Sequence, residues 1–375
     1  MNRSTESTGQ PPYRVLFVQD YRHAPEFVSG VVRNTQALSR RLKARGIASA
    51  VLACLSPHGR ASSVKRLARR VFPQADTWPD PFAGHPTYRV WNVLDAVPSI
   101  IKAFRPTVAV MQWGESYAVA RAFLELGVPV VAYHHSCDFR PPARAHDPHE
   151  LLSTMACSQF VADCLLAEQG FKATVVRPLV EPAEYRVSST REEVLFVNPR
   201  AEKGVDIAWA LAAARQDIPF RFVEAWHVTP EEHAENAAQA QRLGNVSMSP
   251  SGLDMRTFYA RTRLLLAPSV WAEGFGRVVA EAQVSGIPAL TSDSGGLPDA
   301  MGPGGVQLPL GSPIEDWTAA LSRLWDDHGF YQAKADAALA HGRRADFTPE
   351  GIVDLFVAHL DAHRGGVGAE RFRAS

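Results

Sequence analysis

The residues best suited to chemistry lie in one segment, residues 268–282, directly after a short apolar run. Gly274 and Gly276 stand just before a predicted helix, where the absence of side chains lets a ligand approach the backbone. The first amides of that helix and its positive dipole end favour an anion such as a phosphate. Glu273 precedes the helix and Glu281 lies about two turns into it, so both carboxylates can accept hydrogen bonds from one hydroxyl-rich ligand. The alternative is a capping glutamate and a solvated one, and spacing alone does not separate these interpretations.

A second candidate group follows another apolar run, within residues 198–206. Arg200 and Lys203 lie on a predicted loop at the carboxyl end of a strand, where two fixed cations could neutralise a diphosphate. Such cations would replace a metal ion, and the chain contains no Asp-x-Asp sequence of the kind that builds metal-dependent nucleotide-sugar sites. The alternative is that both are solvated surface charges. The first interpretation predicts a diphosphate site with no metal.

The pair His134-His135 closes a third apolar run. Adjacent side chains on an extended segment point to opposite sides, so only one can readily face a cleft, and we favour His134. A hydrogen-bonded histidine at a strand end is the alternative. A zinc site is disfavoured because Asp138 is the only other ligand-type residue at a helpful spacing. The cysteines have no CxxC spacing, so reduced and buried thiols are expected; they are Cys54, Cys137, Cys157 and Cys164.

Length and composition limit the number of domains and the class of protein that can hold these residues in place. The 375 residues allow two domains, and 46% apolar with 21% charged residues is typical of a soluble globular protein rather than a disordered or collagen-like chain. No apolar run reaches the roughly 18 residues that span a bilayer, and residues 1–12 lack the apolar centre of a secretory signal. We therefore expect a cytoplasmic protein. Its zero net charge is unevenly spread: residues 1–186 carry 22 basic and 15 acidic side chains.

Two sets of buried strands are predicted, with room for a helix between successive strands. This alternation is typical of α/β folds with parallel sheets. The first set covers residues 14–18, 50–53, 108–111, 128–133, 155–157 and 174–176. The second covers residues 193–197, 220–223, 246–248, 264–267 and 289–291. Two doubly wound domains in tandem create a cleft at the carboxyl ends of their strands, where open α/β sheets bind ligands.

The predicted domain bounds follow from these sets. Residues 1–180 form the first predicted domain. Residues 181–192 form the predicted linker, because proline, serine and threonine are frequent within and just before this segment. Residues 193–346 form the second domain. A final helix with Ile352, Leu355, Phe356 and Leu360 on one face lies within residues 347–375 and could pack back on the first domain.

Residues 61–73 predict a basic amphipathic helix. Val64, Leu67 and Val71 share a face with Ala68, beside a row of lysine and arginine. Such a helix could rest on an anionic membrane surface, or its apolar stripe could pack on its own domain. Binding of nucleic acid is disfavoured because exposed aromatic residues do not interleave with the basic ones and the pI is about 7.2.

Taken together, these motifs resemble the retaining glycosyltransferases of family 4. The resemblance rests on residues 200–204, the Glu-x7-Glu spacing within 268–282, and the sequences Ser-Gly-Ile-Pro at 285–288 and Gly-Gly-Leu-Pro at 295–298. It implies the GT-B fold, in which two Rossmann-like domains face each other across a cleft, with the donor held mainly by the second domain and the acceptor mainly by the first. One departure is Asp299, where the family usually has glutamate.

The resemblance also implies roles for particular residues. The catalytic group would be His134, Glu273, Arg200 and Lys203, with Glu273 on the sugar and the two cations on the diphosphate. Residues 248–252 would be near the nucleobase, Glu281 on the ribose, and Gly30 in a loop that closes over the donor. The remaining donor-binding residues would be Gly274, Phe275, Gly276 and Val278.

The implied reaction is metal-free sugar transfer from a nucleoside-diphosphate sugar to an acceptor hydroxyl, with retention and with no cofactor. The acceptor could be a glycan, a lipid-linked molecule or a small molecule. An epimerase or hydrolase on the same fold, or a non-catalytic sugar-binding protein, remain alternatives. A dinucleotide-dependent dehydrogenase is disfavoured because no G-x-G-x-x-G follows the first strand.

Overall fold

A computed structural model shows two parallel β-sheets with helices between most successive strands. It describes residues 13–112, 117–137, 149–225, 228–250, 252 and 254–364. Within these residues no helix is both long enough and apolar enough to cross a bilayer.

The first sheet has seven strands in the order β3-β2-β1-β4-β5-β6-β7. Its strands are β1 (Arg14–Arg22), β2 (Ala48–Cys54), β3 (Thr87–Val90), β4 (Val108–Met111), β5 (Val130–His134), β6 (Leu152–Ala156) and β7 (Thr174–Val175). The accompanying helices are α1 (Gly30–Ala44), α2 (Arg60–Val71), α3 (Val93–Phe104), α4 (Tyr117–Glu125), α5 (Gln159–Gln169) and α6 (Pro182–Tyr185).

The second sheet has six strands in the order β10-β9-β8-β11-β12-β13. Its strands are β8 (Glu193–Val197), β9 (Phe220–Val223), β10 (Val246–Ser249), β11 (Thr262–Ala267), β12 (Ala289–Ser292) and β13 (Gly305–Leu308). Its helices are α7 (Val205–Ala214), α8 (Pro230–Leu243), α9 (Met255–Tyr259), α10 (Arg277–Gln283), α11 (Leu297–Met301), α12 (Ile314–Asp326) and α13 (His328–His341), and the chain ends with α14 (Pro349–Arg364).

The predicted strands all appear, and two strands were missed. Strands β3 and β13 have four residues each and occupy the outer edges of their sheets. An edge strand pairs on one side only and need not read as a continuous apolar run. In β3 the fully buried Arg89 replaces an apolar residue, and its Nε donates to Asp80 over 2.9 Å.

Helix α14 crosses back to the first sheet. The ring of Phe356 lies 6.0 Å from that of Phe17, and the Tyr13 hydroxyl donates to Asp361 over 2.6 Å. Ile352, Phe356 and Leu360 are buried as predicted for this helix. The prediction was wrong for Leu355, which is 36% exposed.

The orientation of helix α2 excludes one of the two alternatives for its apolar stripe, packing on its own domain. Its apolar stripe does not pack on its own domain, because Val64, Leu67 and Val71 are 55%, 63% and 65% exposed. The buried residues of this helix are Ala61, Ser62 and Lys65.

The junction between the two sheets contains a partly buried arginine, whose side chain is 12% exposed. Arg177, just after β7, binds both carboxylate oxygens of Asp299 on α11 over 2.8 and 3.1 Å. Its Nη1 also donates to Asp346 over 2.7 Å, and its guanidinium lies 5.0 Å from the ring centre of Phe347. Asp299, the residue at which the family pattern is broken, thus holds the end of the first domain against the second.

Replacing Arg177 by methionine is expected to lower the free energy of unfolding by about 1–3 kcal/mol, because the partly buried carboxylates of Asp299 and Asp346 lose charge-assisted hydrogen bonds. Chemical denaturation measures the change. The exposed Arg186 gives a matched control, since Arg186→Met removes the same charge without a buried partner. Equal stability of the two variants would show that the Arg177 pairs contribute nothing.

Stability is expected to fall as the pH drops below about 6.5. Burial lowers the pKa of His85 and of His359 from 6.5 to about 4, with Arg89 and His363 respectively lowering them further. The unfolded chain therefore takes up protons near pH 6.5, whereas the folded protein takes them up only near pH 4, so protonation favours unfolding within that window. At about pH 5 each histidine should remove roughly 2 kcal/mol of unfolding free energy.

Thermal melts at about pH 7.5 and about pH 5 measure this effect. His359→Gln should show a smaller difference between the two conditions than the parent protein, whereas the exposed His58→Gln should behave like the parent. A melting temperature that is the same at both pH values contradicts the prediction.

Candidate active site

The carboxylate of Glu273 and the ammonium of Lys203 lie together at the carboxyl edge of the second sheet. Lys203 Nζ is 2.5 Å from Glu273 Oε1, and Ser269 Oγ donates to the same oxygen over 2.7 Å. Both side chains of the pair are about 15% exposed (15% and 14%), so they are largely shielded and still reachable. The Lys203 Nζ also lies 5.2 Å from the ring centre of Trp271.

The topology explains why these two residues meet. Lys203 belongs to a 3₁₀ turn after β8, and Glu273 lies in the connection after β11. Strands β8 and β11 are neighbours, and the chain proceeds from β8 outward in one direction and from β11 outward in the other. Ligands of open α/β sheets bind at this kind of switch point, beyond the carboxyl ends of the strands.

Asn198, at the end of β8, was missed by the sequence analysis. It has a φ of 67°, which is uncommon for a residue other than glycine, and it is 2% exposed. Its carbonyl accepts from the Arg200 amide over 2.8 Å, and neither polar atom of its side chain has a hydrogen-bond partner among the described residues. A buried polar group in an unusual conformation at a strand end is typical of a functional loop.

Arg200 lies among carboxylates. Its Nε is 3.2 Å from Glu202 and 3.5 Å from Glu232. The predicted role in diphosphate binding therefore requires that Arg200 use its other N–H groups or exchange these partners, and the role stays a prediction.

Glu281 is held by Arg277, a residue that the sequence analysis did not single out. Arg277 Nε donates to Glu281 over 2.8 Å, and the Tyr259 hydroxyl donates to the other oxygen over 3.0 Å. Burial raises the pKa of Tyr259, and the Glu281 charge raises it further. Arg277 also donates to the carbonyl of Leu179 over 2.9 Å. The sequence signal that could have identified this pair is the i, i+4 spacing of Arg277 and Glu281 on one helix.

Gly30, at the start of α1, lies beside Arg277. A Cβ atom built on Gly30 would be 3.8 Å from Arg277 Cδ, which is ordinary van der Waals contact. The loop that precedes α1 is thereby placed next to the Arg277–Glu281 pair, and the proposed closure over a donor stays a prediction.

The glycines of residues 274–276 serve close packing of protein on protein. A Cβ on Gly274 would lie 2.0 Å from the carbonyl oxygen of His135 in the first domain. A Cβ on Gly276, which has a φ of 92°, would lie 2.6 Å from the side chain of Leu297. Other parts of the chain therefore occupy the Cβ directions of both glycines, and the approach of a ligand to the backbone amides of this segment stays a prediction.

The two residues beside these glycines are also tightly packed. Phe275 is 5% exposed, with its ring 6.0 Å from that of Phe347, and Val278 is half-buried. Helix α10 begins only at Arg277, so Glu281 lies about one turn into it rather than the two that were predicted. Any contact of Phe275 with a ligand must therefore come from its backbone.

His134 is the last residue of β5, and His135 follows it. The carbonyl group of His135 lies against Gly274 of the second domain. His134 is 8% exposed and pairs in register with Ala156 of β6. His135 Nε2 lies 2.8 Å from Gln112 Oε1, and burial lowers the pKa of His135 to about 3, so its ring is neutral at physiological pH. Asp138, weighed as a zinc ligand, lies outside the described residues.

A cavity of about 470 Å³ opens between the two domains, and its wall includes Tyr185, whose hydroxyl accepts from Arg277 Nη2 over 3.3 Å. Helix α1 provides Arg33 and Arg40, the interdomain segment provides Tyr185, the β10–α9 connection provides Gly252, and α9 provides Arg256. Gly252 belongs to residues 248–252, which the family resemblance places near the nucleobase. All four cysteines are free thiols, and no group of three potential metal ligands occurs among the described residues.

Two family models match the chain, one over each half. The model described as Glycosyltransferase Family 4 matches residues 28–184, and the model described as Glycosyl transferases group 1 matches residues 192–327. The family resemblance inferred from the motifs is confirmed in both halves.

Curated relatives match shorter stretches. The D-inositol 3-phosphate glycosyltransferase of Nocardia farcinica is 37% identical over 119 residues, which are 30% of this chain and 26% of that protein. The MMP alpha-(1->4)-mannosyltransferase of Mycolicibacterium hassiacum is 28% identical over 153 residues, which are 40% of this chain and 37% of that protein. The chain thus spans well under half the length of these relatives.

Solved structures match almost the whole chain. A glycosyltransferase from Rickettsia africae has a TM-score of 0.72 at 14% identity, covering 96% of this chain and 99% of its own. Anabaena Alr3699/HepE in complex with UDP-glucose has a TM-score of 0.73 at 16% identity, covering 93% of this chain and 100% of its own. The predicted fold class, two facing Rossmann-like domains of the GT-B type, is confirmed.

Proposed function

Because this chain belongs to the family 4 glycosyltransferases, we propose that it moves a hexosyl-type sugar from a nucleoside-diphosphate sugar to an acceptor hydroxyl. The proposal includes retention of the anomeric configuration and independence from metal ions and cofactors. The observation that carries it is the Lys203–Glu273 pair at the switch point of the second sheet. The presence of UDP-glucose in the structural neighbour from Anabaena supports the choice of donor class.

Lys203 and Glu273 are proposed to bind different parts of the sugar donor. Departure of the nucleoside diphosphate builds negative charge on its outer phosphate, and the Lys203 ammonium stabilises that charge more in the transition state than in the ground state. The Glu273 carboxylate accepts hydrogen bonds from sugar hydroxyls. Since Ser269 also holds Glu273, the carboxylate keeps its position when Lys203 turns toward the phosphate.

The nucleoside is proposed to occupy the cavity lined by Tyr185 and Gly252, with its ribose toward Glu281. Each Glu281 oxygen has one protein donor, and a carboxylate oxygen can accept a second hydrogen bond, so ribose hydroxyls can still bind. His134 is proposed to lie beside the reacting sugar on the first-domain side. Arg200 is proposed to share the diphosphate charge after exchanging its carboxylate partners.

The acceptor class is left open as a glycan, a lipid-linked molecule or a small molecule. A cytoplasmic location is part of the proposal. An acceptor held by the first domain would approach the sugar from the side of His134.

The donor proposal is tested by unfolding measurements in the presence of UDP-, GDP-, ADP- and TDP-sugars, each with and without EDTA. A donor at about 100 times its dissociation constant should raise the unfolding free energy by about 2.7 kcal/mol. The increase should be the same with EDTA. No increase with any donor, or one that requires a divalent ion, contradicts the proposal.

The reaction type is tested with the donor that stabilises the protein. NMR of the product with a panel of acceptors should show the anomeric configuration of the donor. Donor consumption at the same rate without any acceptor would instead indicate a hydrolase or epimerase.

A further inference from the structure

Helix α2 buries its lysine and exposes its aliphatic residues. Lys65 is 5% exposed, its ammonium donates to the Trp78 carbonyl, and burial lowers its pKa. Val64, Leu67 and Val71, spaced i, i+3 and i+7, point to solvent instead. Burial of an ammonium group costs free energy and exposure of this stripe forgoes hydrophobic stabilisation. The orientation therefore indicates that the stripe has a partner outside the chain.

Two aromatic residues extend the stripe. Phe72 and Trp78 are 45% and 43% exposed, and their ring centres are 5.2 Å apart. Together with Val64, Leu67 and Val71 they form what we call the α2 surface. Contiguous exposed apolar residues of this kind mark an interaction site, whereas single exposed ones do not.

The residues around the α2 surface are basic. Helix α2 contains Arg60, Arg66, Arg69 and Arg70 and no acidic residue. Arg69 pairs with Asp76 over 3.2 Å, and Arg66 is held by the Ser56 carbonyl. Arg60 and Arg70 are exposed, and no ion pair involving them occurs among the described residues.

We propose that the α2 surface docks on an anionic lipid bilayer, with the helix axis parallel to the membrane plane. A bilayer offers both complementary features at once, an apolar layer for the aliphatic and aromatic side chains and negative headgroups for the flanking arginines. A second copy of the chain in a two-fold dimer would place the same arginines against each other, so charge disfavours that occupant.

The docked helix is firmly connected to its domain. Glu26, in the loop before α1, accepts hydrogen bonds from the Ser62 amide over 2.7 Å and from its hydroxyl over 2.6 Å. The fully buried Arg89 lies 3.6 Å from the same carboxylate. Docking therefore orients the whole first domain, and with it the mouth of the cleft, relative to the membrane.

The test is co-sedimentation of the full chain with vesicles, in the absence of any donor, so that its outcome is independent of the proposed sugar transfer. Vesicles of phosphatidylcholine with about 30% phosphatidylglycerol are compared with pure phosphatidylcholine at physiological salt. Binding to the anionic vesicles and weak binding to the neutral ones is expected. Added salt at about 0.5 M should weaken binding, because it screens the arginines.

Two pairs of substitutions locate the surface. Leu67→Ser with Val71→Ser should lower the partition coefficient at least about tenfold, from the loss of buried apolar area. Arg60→Gln with Arg70→Gln should lower it roughly 30-fold, from the attraction of each arginine to the anionic surface. All four positions are exposed, so the melting temperature should stay that of the parent.

The matched control replaces exposed leucines elsewhere, Leu126→Ser with Leu310→Ser, both 52% exposed in the parent. This control should bind vesicles like the parent. Equal binding by the α2 variants, or no binding by the parent, overturns the proposal. Dimerisation of the parent in solution that Leu67→Ser with Val71→Ser abolishes would also overturn it, since a second copy would then be the partner.

Discussion

Replacing Lys203 by alanine is expected to lower the kcat of sugar transfer by about 10² to 10³-fold. The ammonium lies at the switch point of the second sheet, 2.5 Å from Glu273, and in the proposed role its removal takes away a positive group that stabilises the departing diphosphate. Loss of one such group in other enzymes costs about 2.7–4 kcal/mol. Because the interaction strengthens as charge develops, kcat should fall more than the donor KM rises.

The measurement is the initial rate of sugar transfer at a saturating concentration of donor. The donor is the nucleotide sugar that stabilises the protein in the unfolding measurements. Lys203→Arg should retain part of the activity, since it keeps the charge with a different geometry. Lys43→Ala, on the exposed part of α1, removes an equal charge far from the site and should match the parent. A Lys203→Ala enzyme with a kcat within about threefold of the parent would exclude the assigned role.

Gly274→Ala is expected to abolish measurable transfer, a loss of at least about 10²-fold. The new methyl group would lie 2.0 Å from the His135 carbonyl oxygen, 3.0 Å from the attached carbon and 3.5 Å from Cys157 Sγ. Backbone at the end of a buried strand cannot yield by that amount, so the second domain must shift away from the first. The Gly274 carbonyl would then lose the hydrogen bond that it accepts from Ser158 Oγ over 2.6 Å.

This prediction separates domain placement from folding. Activity should be lost while the far-ultraviolet circular dichroism of both sheets stays unchanged, because the clash lies between the domains. Gly329→Ala is the matched control: its methyl group would have Asp327 Oδ1 at 3.5 Å as the nearest described atom, an ordinary contact. A fully active Gly274→Ala enzyme would show that the contact with His135 is dispensable for catalysis.

The strands were predictable because parallel sheets are buried on both faces and their strands are nearly continuous apolar runs. Helix α8 begins with a local sequence signal of the same kind, since Thr229 and Glu232 form the reciprocal hydrogen bonds of a capping box. Strand β3 escaped because Thr87 and Arg89 interrupt its apolar residues, and β13 because Gly305 and Gln307 do. Arg89 shows how a charged residue can be fully buried there when carboxylates surround it.

The candidate site was only partly predictable. Residues 268–282 and 198–206 were recognisable because glycine turns, paired carboxylates and loop cations follow strands at fixed spacing. Their contacts were not, since Lys203 and Glu273 are 70 positions apart and meet only because β8 and β11 are adjacent. The same holds for Asp299, whose partner Arg177 lies 122 positions away.

The amino-acid sequence by itself determined the α/β alternation, the two-domain architecture and the segment that carries the glutamates, because these depend on local patterns of polarity and on short motifs. Only the tertiary structure decided which side of α2 faces outward, which partner each charged residue takes, and why Gly274 must be glycine. An amphipathic pattern defines two faces of a helix without saying what covers either, and ion pairs between distant residues depend on strand order. Those choices are made when the sheets assemble, by the free energy of burying some groups and pairing others.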